Sequence, residues 1–248
     1  MLAAQPSEFA RGARAVAEYR RATLGALRGL AAAAEEASAA CDQTRHDDAA
    51  VFLADILPTA YFGAINGNIR PGDTVAIFGC GPVGLCAVMS AKLFGPAEII
   101  AVDSIPYRLE MARKLGATPV TAENAQQTIL DRTEGRGADV AIEAVGNEAA
   151  LTSAVMAARG GGTVSVIGVF AAQSFNFPIG YAFARDLTFK IGLANINAHI
   201  PALSSLIEKG TLNPRPLISH VMPLGDAPKA YEIFNAKKDN AMKVLLKP

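Results

Sequence analysis

Short apolar runs alternate with longer amphipathic stretches through the middle of the chain. A short apolar run predicts a buried strand, whereas a longer stretch that is apolar at every third or fourth position predicts a helix. The predicted strands are DTVAIFG (73–79), AEIIAVD (97–103), TPV (118–120), DVAIEAVG (139–146), GTVSVIGVF (162–170) and DLTFKIGL (186–193). The predicted helices between them span 82–95, 108–117 and 147–162, with a polar surface helix and loop over 122–138. This alternation predicts an α/β fold with a doubly wound parallel sheet.

The two ends of the chain differ from this middle. Residues 7–40 are rich in alanine, and their scattered apolar residues suit one face of a long helix that several glycines weaken. The C-terminal stretch 213–248 predicts a strand, a helix and a second strand. We therefore divide the chain into a helical or partly disordered segment at 1–46, an α/β domain at 47–212 and a tail at 213–248.

A glycine-rich turn follows the first predicted strand, in the sequence AIFGCGPVG at 76–84. At a strand-to-helix junction, Gly79 would permit the tight turn, Gly81 would let a ligand approach the backbone, and Gly84 would let helix and strand pack closely. The free N–H groups at the start of the helix would then face a diphosphate. This pattern predicts a dinucleotide-binding Rossmann domain, and the alternative is a structural turn without a ligand.

The second predicted strand ends in an acid, Asp103. A carboxylate about 20 residues beyond the glycines is typical of the group that binds the adenosine ribose hydroxyls. Its negative charge would oppose the additional phosphate of NADP. The sequence therefore predicts that the chain prefers NAD.

The composition narrows the classes of partner. Lys and Arg together number 23, as do Asp and Glu, so the formal net charge is zero. Without a strongly basic balance we expect neither nucleic acid nor a membrane surface as a partner. Small molecules and further copies of the chain remain as expected partners.

Cysteine use and the N-terminus bear on the compartment. Cys41, Cys80 and Cys86 are too few and too irregularly spaced for a disulfide framework, which favours a reducing environment. No apolar run reaches the ~18 residues of a membrane span, and charged residues occupy the N-terminus where a signal peptide would be apolar. We therefore expect a cytoplasmic protein.

Several motifs occur in a fixed order between about residue 47 and the C-terminus. They are DILPTAYFGA (55–64), GPVG (81–84), VDSIPYRLEMARKLGA (102–117), EAVG (143–146), VIGVF (166–170) and KVLLKP (243–248). Together they resemble the zinc-containing alcohol dehydrogenase family of medium-chain dehydrogenases, and within it most closely the formaldehyde-dehydrogenase-like branch. The resemblance implies hydride transfer between an alcohol or aldehyde and NAD, with a zinc ion that polarises the substrate oxygen.

The resemblance also implies a set of cofactor contacts, which supplement the glycine turn. Gly81, Pro82 and Val83 would lie under the diphosphate, which Lys243 would also reach. The remaining implied contacts are Asp103 and Arg108 at the adenosine ribose, Val145 and Gly146 beside the cofactor, Ile167, Gly168 and Val169 at the nicotinamide ribose, and Thr59 near the nicotinamide.

We expect that this chain does not bind zinc. Members of the family carry most of their catalytic zinc ligands on an N-terminal chaperonin-10-like domain, and its Gly-His-Glu motif does not occur here. Asp55 alone falls at a family ligand position, and a zinc site commonly needs three protein ligands. As an alternative, Cys41 and His46 could complete a set with Asp55, although neither matches a family ligand position.

The other histidines and cysteines have simpler interpretations. His46 is expected to cap, or lie exposed before, a helix at 48–57, and His199 and His220 to be ordinary loop and strand residues. Cys80 and Cys86 are expected to be small packing residues. No residue is assigned as catalytic.

Three functions remain open on the sequence alone. The chain is an active NAD-dependent dehydrogenase, a truncated and inactive NAD-binding module, or an oligomerisation module. The third follows from the family resemblance, since coenzyme domains of that family associate through an edge strand, here LTFKIGL at 187–193. We expect a homo-oligomer in each case.

Overall fold

A computed structural model describes residues 47–171 and 174–248. Within these ranges six parallel strands form the main sheet: β1 (Thr74–Phe78), β2 (Glu98–Asp103), β3 (Thr118–Thr121), β4 (Ala138–Glu143), β5 (Ala158–Val166) and β6 (Thr188–Ile191). Their order across the sheet is β3-β2-β1-β4-β5-β6. This order joins two mononucleotide-binding halves at the β1–β4 boundary, and it confirms the predicted doubly wound α/β fold. The helix predicted over 7–40 lies outside the described residues.

Helices cover both faces of this sheet. They are α1 (Asp47–Ala50), α2 (Ile56–Gly67), α3 (Pro82–Lys92), α4 (Pro106–Lys114), α5 (Ala125–Arg132), α6 (Glu148–Ala157), α7 (Ile179–Ala184) and α8 (Ile196–Glu208). A further helix, α9 (Ala227–Asn235), packs instead against strands of the C-terminal tail. None of the described helices is long and apolar enough to cross a membrane.

Alternate residues of β1 enter two separate hydrophobic cores. Ile77 packs into the core that includes residues of α2, α3 and α8, whereas Phe78 packs into the core that includes residues of α5 and α6. Since successive side chains of a strand point to opposite faces, a strand covered on both faces is apolar throughout. This is why the strands appear in the sequence as continuous apolar runs.

One predicted boundary is wrong by several residues. A helix was expected over 147–162, but α6 ends at Ala157 and β5 begins at Ala158. Three consecutive glycines at 160–162 disfavour helix, and Gly161 adopts a φ of +68°. The register of β4 against β5 shifts there, because Ala138 pairs with Ala158 but Val140 pairs with Thr163.

The helix predicted at 48–57 is interrupted. Residues 51–55 form turns between α1 and α2, and α2 begins at Ile56. Pro58 accounts for part of this, since proline is tolerated in the first turn of a helix but not in its interior. His199 was expected in a loop and lies instead in α8. His220 lies in a strand, as expected.

The tail forms the predicted strand, helix and strand. β7 (Ile218–Pro223) and β8 (Lys243–Lys247) pair with each other in a parallel two-stranded sheet, with α9 between them in sequence. Leu217 and Met242 are buried in the core that contains Ile77. The Tyr107 hydroxyl donates to the carbonyl of Ala241 at 3.2 Å. The two strands therefore form hydrogen bonds with each other along one edge, and their flanking residues anchor the tail to the domain.

Hydrogen exchange should nevertheless be faster in the tail than in the main sheet. All five residues of β1 are buried and the strand is paired on both sides, whereas β7 alternates between half-buried and exposed residues. Two-stranded sheets are marginally stable on their own. We therefore expect the amides of β7 to exchange at least about tenfold faster than those of β1 by mass spectrometry or NMR. Equal protection of the two strands would contradict this expectation.

Candidate dinucleotide-binding site

The glycine turn between β1 and α3 leaves no room for side chains at two of its three glycines. Gly79 adopts a φ of +97°, which strongly favours glycine, and a Cβ there would lie 2.6 Å from Val145 Cγ2. A Cβ on Gly84 would overlap the carbonyl oxygen of Gly79. These two glycines therefore let α3 start directly against the end of β1.

Gly81 differs from Gly79 and Gly84 because the position that a Cβ would occupy is open. A Cβ at Gly81 would have the Arg108 guanidinium, at 3.8 Å, as its nearest neighbour. Gly81 caps α3, and Pro82 occupies the first turn of that helix. The first N–H groups of a helix have no partner within the helix and favour negative charge. Backbone, rather than a side chain, thus faces the open space.

Asp103 is fixed at the end of β2 by the neighbouring backbone. Its Oδ2 accepts a hydrogen bond from the Cys80 N–H at 2.7 Å, and its Oδ1 accepts one from the Ile105 N–H at 2.9 Å. The Arg108 Nη1 lies 3.7 Å from Asp103 Oδ2. The residue is 9% exposed. A nearly buried carboxylate is therefore held against the glycine turn, and its remaining lone pairs can accept further hydrogen bonds.

A cavity of about 480 Å³ lies in front of these groups. It brings together five of the predicted residues: Gly79, Gly81, Asp103, Arg108 and Val145. Sequence analysis missed several other residues that line it, which include Ser104, Ala122, Asn147, Ser153 and Lys237. Lys237 follows α9 in the tail, so only the folded chain could place it here.

A second cleft, of about 390 Å³, contains Pro82 and Val83 at the start of α3 and Lys243 at the start of β8. The Lys243 Nζ lies 5.7 Å from the centroid of the Phe52 ring. Burial lowers the pKa of Lys243, and the charge of the nearby Asp55 carboxylate partly offsets this effect. A partly desolvated ammonium beside the start of a helix is well suited to an anionic ligand.

The ends of β4 and β5 carry the other predicted contacts. Gly146 adopts a φ of +84°, and a Cβ there would overlap the carbonyl oxygen of Val169. The side chains of Val145 and Val169 are exposed, whereas Ile167 is buried. Gly146 and Gly168 each leave no room for a Cβ, which brings these two chain segments into backbone contact.

Glu143 is a residue that sequence analysis missed. It is fully buried at the end of β4, and its Oε1 accepts hydrogen bonds from the N–H groups of Val145 at 2.7 Å and Gly146 at 2.8 Å. Burial raises its pKa, although these two hydrogen bonds oppose the change. In the sequence it is an acid inside the apolar run DVAIEAVG and the first residue of the motif EAVG.

Asp55 and Thr59 form a small polar pair at the start of α2. The Thr59 hydroxyl donates to Asp55 Oδ1 at 3.2 Å. Within residues 47–171 and 174–248, no three His, Cys, Asp or Glu side chains are grouped so that they could hold a metal ion. Cys41 and His46, which could complete the alternative site, lie outside the described residues. The described residues therefore do not fit a zinc ion at Asp55.

The remaining histidines and cysteines make local contacts. The His199 ring lies 5.6 Å from that of Tyr61, and burial lowers its pKa. His220 Nδ1 lies 2.9 Å from the hydroxyl oxygen of Ser219. Cys80 and Cys86 are buried, and desolvation raises the pKa of both thiols, that of Cys86 to about 12. Both thiols are therefore protonated near neutral pH, consistent with the predicted packing role.

Comparison with known proteins identifies the family. The profile of the zinc-binding dehydrogenase family matches residues 82–209. A probable zinc-binding alcohol dehydrogenase from Mycobacterium tuberculosis is 38% identical over 199 residues, which are 80% of this chain and 52% of that protein. An alcohol dehydrogenase from Cupriavidus necator is 37% identical over 209 residues, which are 82% of this chain and 57% of that protein.

A solved structure gives the same result. The alcohol dehydrogenase from Thermus sp. ATN1 superposes with a TM-score of 0.78 at 46% identity, over 81% of this chain and 60% of that one. The chain thus spans between about half and three fifths of the length of these relatives. The family profile begins at Pro82 and covers Gly84, Asp103 and the ends of β4 and β5. By its sequence and its fold, this chain is a member of the zinc-binding dehydrogenase family.

Proposed function

We propose that this chain binds NAD(H) at the end of the sheet formed by β1, β2 and β4, and that it prefers NAD(H) to NADP(H). The observation that carries the proposal is Asp103, a nearly buried carboxylate fixed by the N–H groups of Cys80 and Ile105 beside the cavity. A fixed carboxylate accepts hydrogen bonds from two adjacent ribose hydroxyls at little entropic cost. It repels a phosphate on the same sugar.

The neighbouring groups fit the remainder of a dinucleotide. Gly81 leaves open the space that a Cβ would fill, and α3 begins there. Within the described residues, the Arg108 Nε is buried and has no hydrogen-bond partner. An unpaired buried donor at the edge of a cavity is costly unless a ligand satisfies it. The diphosphate would lie between the start of α3 and Lys243, and the adenosine ribose between Asp103 and Arg108.

Calorimetric titration with NADH tests the proposed binding. We expect saturable binding of about one molecule per chain, and we expect ADP-ribose to compete because it carries the groups that face Asp103 and α3. Absence of saturable binding at millimolar NADH would overturn the proposal.

The reaction class we assign is hydride transfer between an alcohol or aldehyde and NAD. The relatives named as alcohol dehydrogenases support it, and the likeness to the formaldehyde-dehydrogenase-like branch suggests a small substrate. Bound NAD supplies a hydride acceptor at its nicotinamide ring. The residues of this chain bind and orient the dinucleotide, with Val145 and Val169 presenting apolar side chains at the ends of β4 and β5.

We predict that the purified protein carries much less than one zinc ion per chain and turns over little alcohol or aldehyde. Asp55 has no further ligands grouped with it among the described residues, and zinc sites commonly use about three protein ligands. Elemental analysis after gel filtration checks the metal content, and Asp55→Asn should leave it unchanged. One zinc per chain that disappears in Cys41→Ser or His46→Ala would instead establish the alternative site.

Association between copies is a second function that the structure favours. β6 is an edge strand, and the exposed apolar residues Phe183, Ile191 and Leu193 lie on it or close to it in sequence. Exposed edges and apolar clusters promote pairing between chains. We expect sedimentation velocity to show a dimer or larger species, and Ile191→Lys to shift the population towards monomer. A wild-type chain that stays monomeric at about 100 μM, far above the Kd of a stable complex, would contradict this.

A further inference from the structure

Glu143 contacts two chain segments at the proposed NAD(H) site. Its side chain accepts hydrogen bonds from the N–H groups of Val145 and Gly146. Its backbone carbonyl accepts from the N–H groups of Ile167 at 2.9 Å and Gly168 at 3.1 Å. One residue therefore fixes both the segment after β4 and the segment after β5.

The second carboxyl oxygen of Glu143 is packed tightly. A Cβ on Gly168 would lie 2.5 Å from Glu143 Oε2. Within the described residues, Oε2 has no hydrogen-bond partner and Glu143 forms no ion pair. A buried carboxylate without a cation is costly, and a protonated carboxyl avoids most of that cost. Burial shifts the pKa of Glu143 upward, although the hydrogen bonds from Gly146 and Val145 oppose this shift.

A side chain with one acceptor oxygen suffices for these contacts. Oε1 accepts the hydrogen bonds from both N–H groups, whereas Oε2 only packs close to Gly168. A glutamine has the same shape and keeps one acceptor oxygen. Leucine and methionine are of similar size and lack an acceptor, so they would leave the N–H groups of Val145 and Gly146 unsatisfied.

We propose that Glu143 is a positioning residue that holds the Val145–Gly146 and Ile167–Gly168 segments at the spacing required to bind NAD(H). This inference rests on the proposed function, since the bound ligand is the dinucleotide proposed above. Glu143 acts through these segments and makes no contact with the reacting atoms.

The test compares Glu143→Gln with Glu143→Leu by NADH fluorescence titration. Glu143→Gln should bind NADH within about threefold of the wild type, and Glu143→Leu should bind it about tenfold or more weakly, the loss expected for two unsatisfied amides. Glu208, exposed near the end of α8, provides matched controls: Glu208→Gln and Glu208→Leu should both bind like the wild type. If Glu143→Leu does not fold, Glu143→Met takes its place.

Amide exchange without cofactor supplies a second measurement. The Val145 and Gly146 amides should stay protected in Glu143→Gln and exchange faster in Glu143→Leu. If the Leu variant binds NADH as tightly as the wild type, or if both variants weaken binding equally, the inference is overturned while the proposed function stands. If the wild type itself does not bind NADH, the proposed function fails. Equal exchange of the Val145 and Gly146 amides in the wild type and in both variants would overturn the positioning role.

Discussion

Replacing Asp103 by glycine is expected to weaken NADH binding by about tenfold to a hundredfold, because hydrogen bonds to a charged group contribute roughly 1.5–3 kcal/mol. NADPH binding should change little or improve. The additional phosphate of NADPH would no longer lie near a carboxylate. Arg108, whose Nη1 lies 3.7 Å from Asp103 Oδ2 in the unmodified chain, would be free to pair with that phosphate. The preference for NADH over NADPH should therefore narrow.

The matched control for this variant is Asp131→Gly. Asp131 is exposed on α5 and is not among the residues that line the cavity. Glycine there costs about 1 kcal/mol of helix stability and should leave both affinities unchanged. Because Asp103→Gly also removes the acceptor for the Cys80 and Ile105 N–H groups, thermal unfolding should be recorded beside each titration. Unchanged NADH affinity in a folded Asp103→Gly chain would contradict the assigned role.

The second large effect is expected at Gly84. Alanine there would place a Cβ against the carbonyl oxygen of Gly79, so α3 would have to move away from β1. Overpacking of a core typically costs about 1–3 kcal/mol, and we expect the upper end or more because the obstructing atom belongs to the backbone. Urea denaturation would measure the loss, and Gly180→Ala, where no atom lies within 4 Å of the added Cβ, is the control.

Gly81→Ala separates binding from folding at the same turn. Its Cβ fits the structure without a clash, and its φ of −67° suits alanine. The added methyl would occupy the open space before α3. We expect stability within about 1 kcal/mol of the wild type, with NADH binding at least about tenfold weaker. Equal NADH affinity for wild type and Gly81→Ala would show that the dinucleotide does not approach this turn.

The glycine turn and Asp103 could be predicted because their physical requirements are local. A tight turn with positive φ needs Gly79, and a strand that ends in an acid places that acid at the edge of the sheet where ligands bind. Both signals lie within about 30 consecutive residues and do not depend on contacts elsewhere.

Other parts of the fold depend on contacts that are distant in sequence. α8 contains Pro201, which obscures its helical pattern, and its core contacts come partly from α2. The pairing of β7 with β8 joins two strands that α9 separates in sequence, so neither strand alone predicts it. Lys237 reaches the cavity from the tail. The contacts of Glu143 could not be predicted, because an acid in an apolar run does not by itself indicate which groups donate hydrogen bonds to it.

Fluorescence titration of the unmodified chain with NADH and with NADPH, at the same ionic strength, measures whether the chain binds NAD(H) and prefers it to NADP(H). We expect saturable binding of NADH and an affinity for NADPH that is lower by about tenfold or more, because Asp103 would oppose the additional phosphate. Equal affinities for the two nucleotides, or no saturable binding of either, would contradict it.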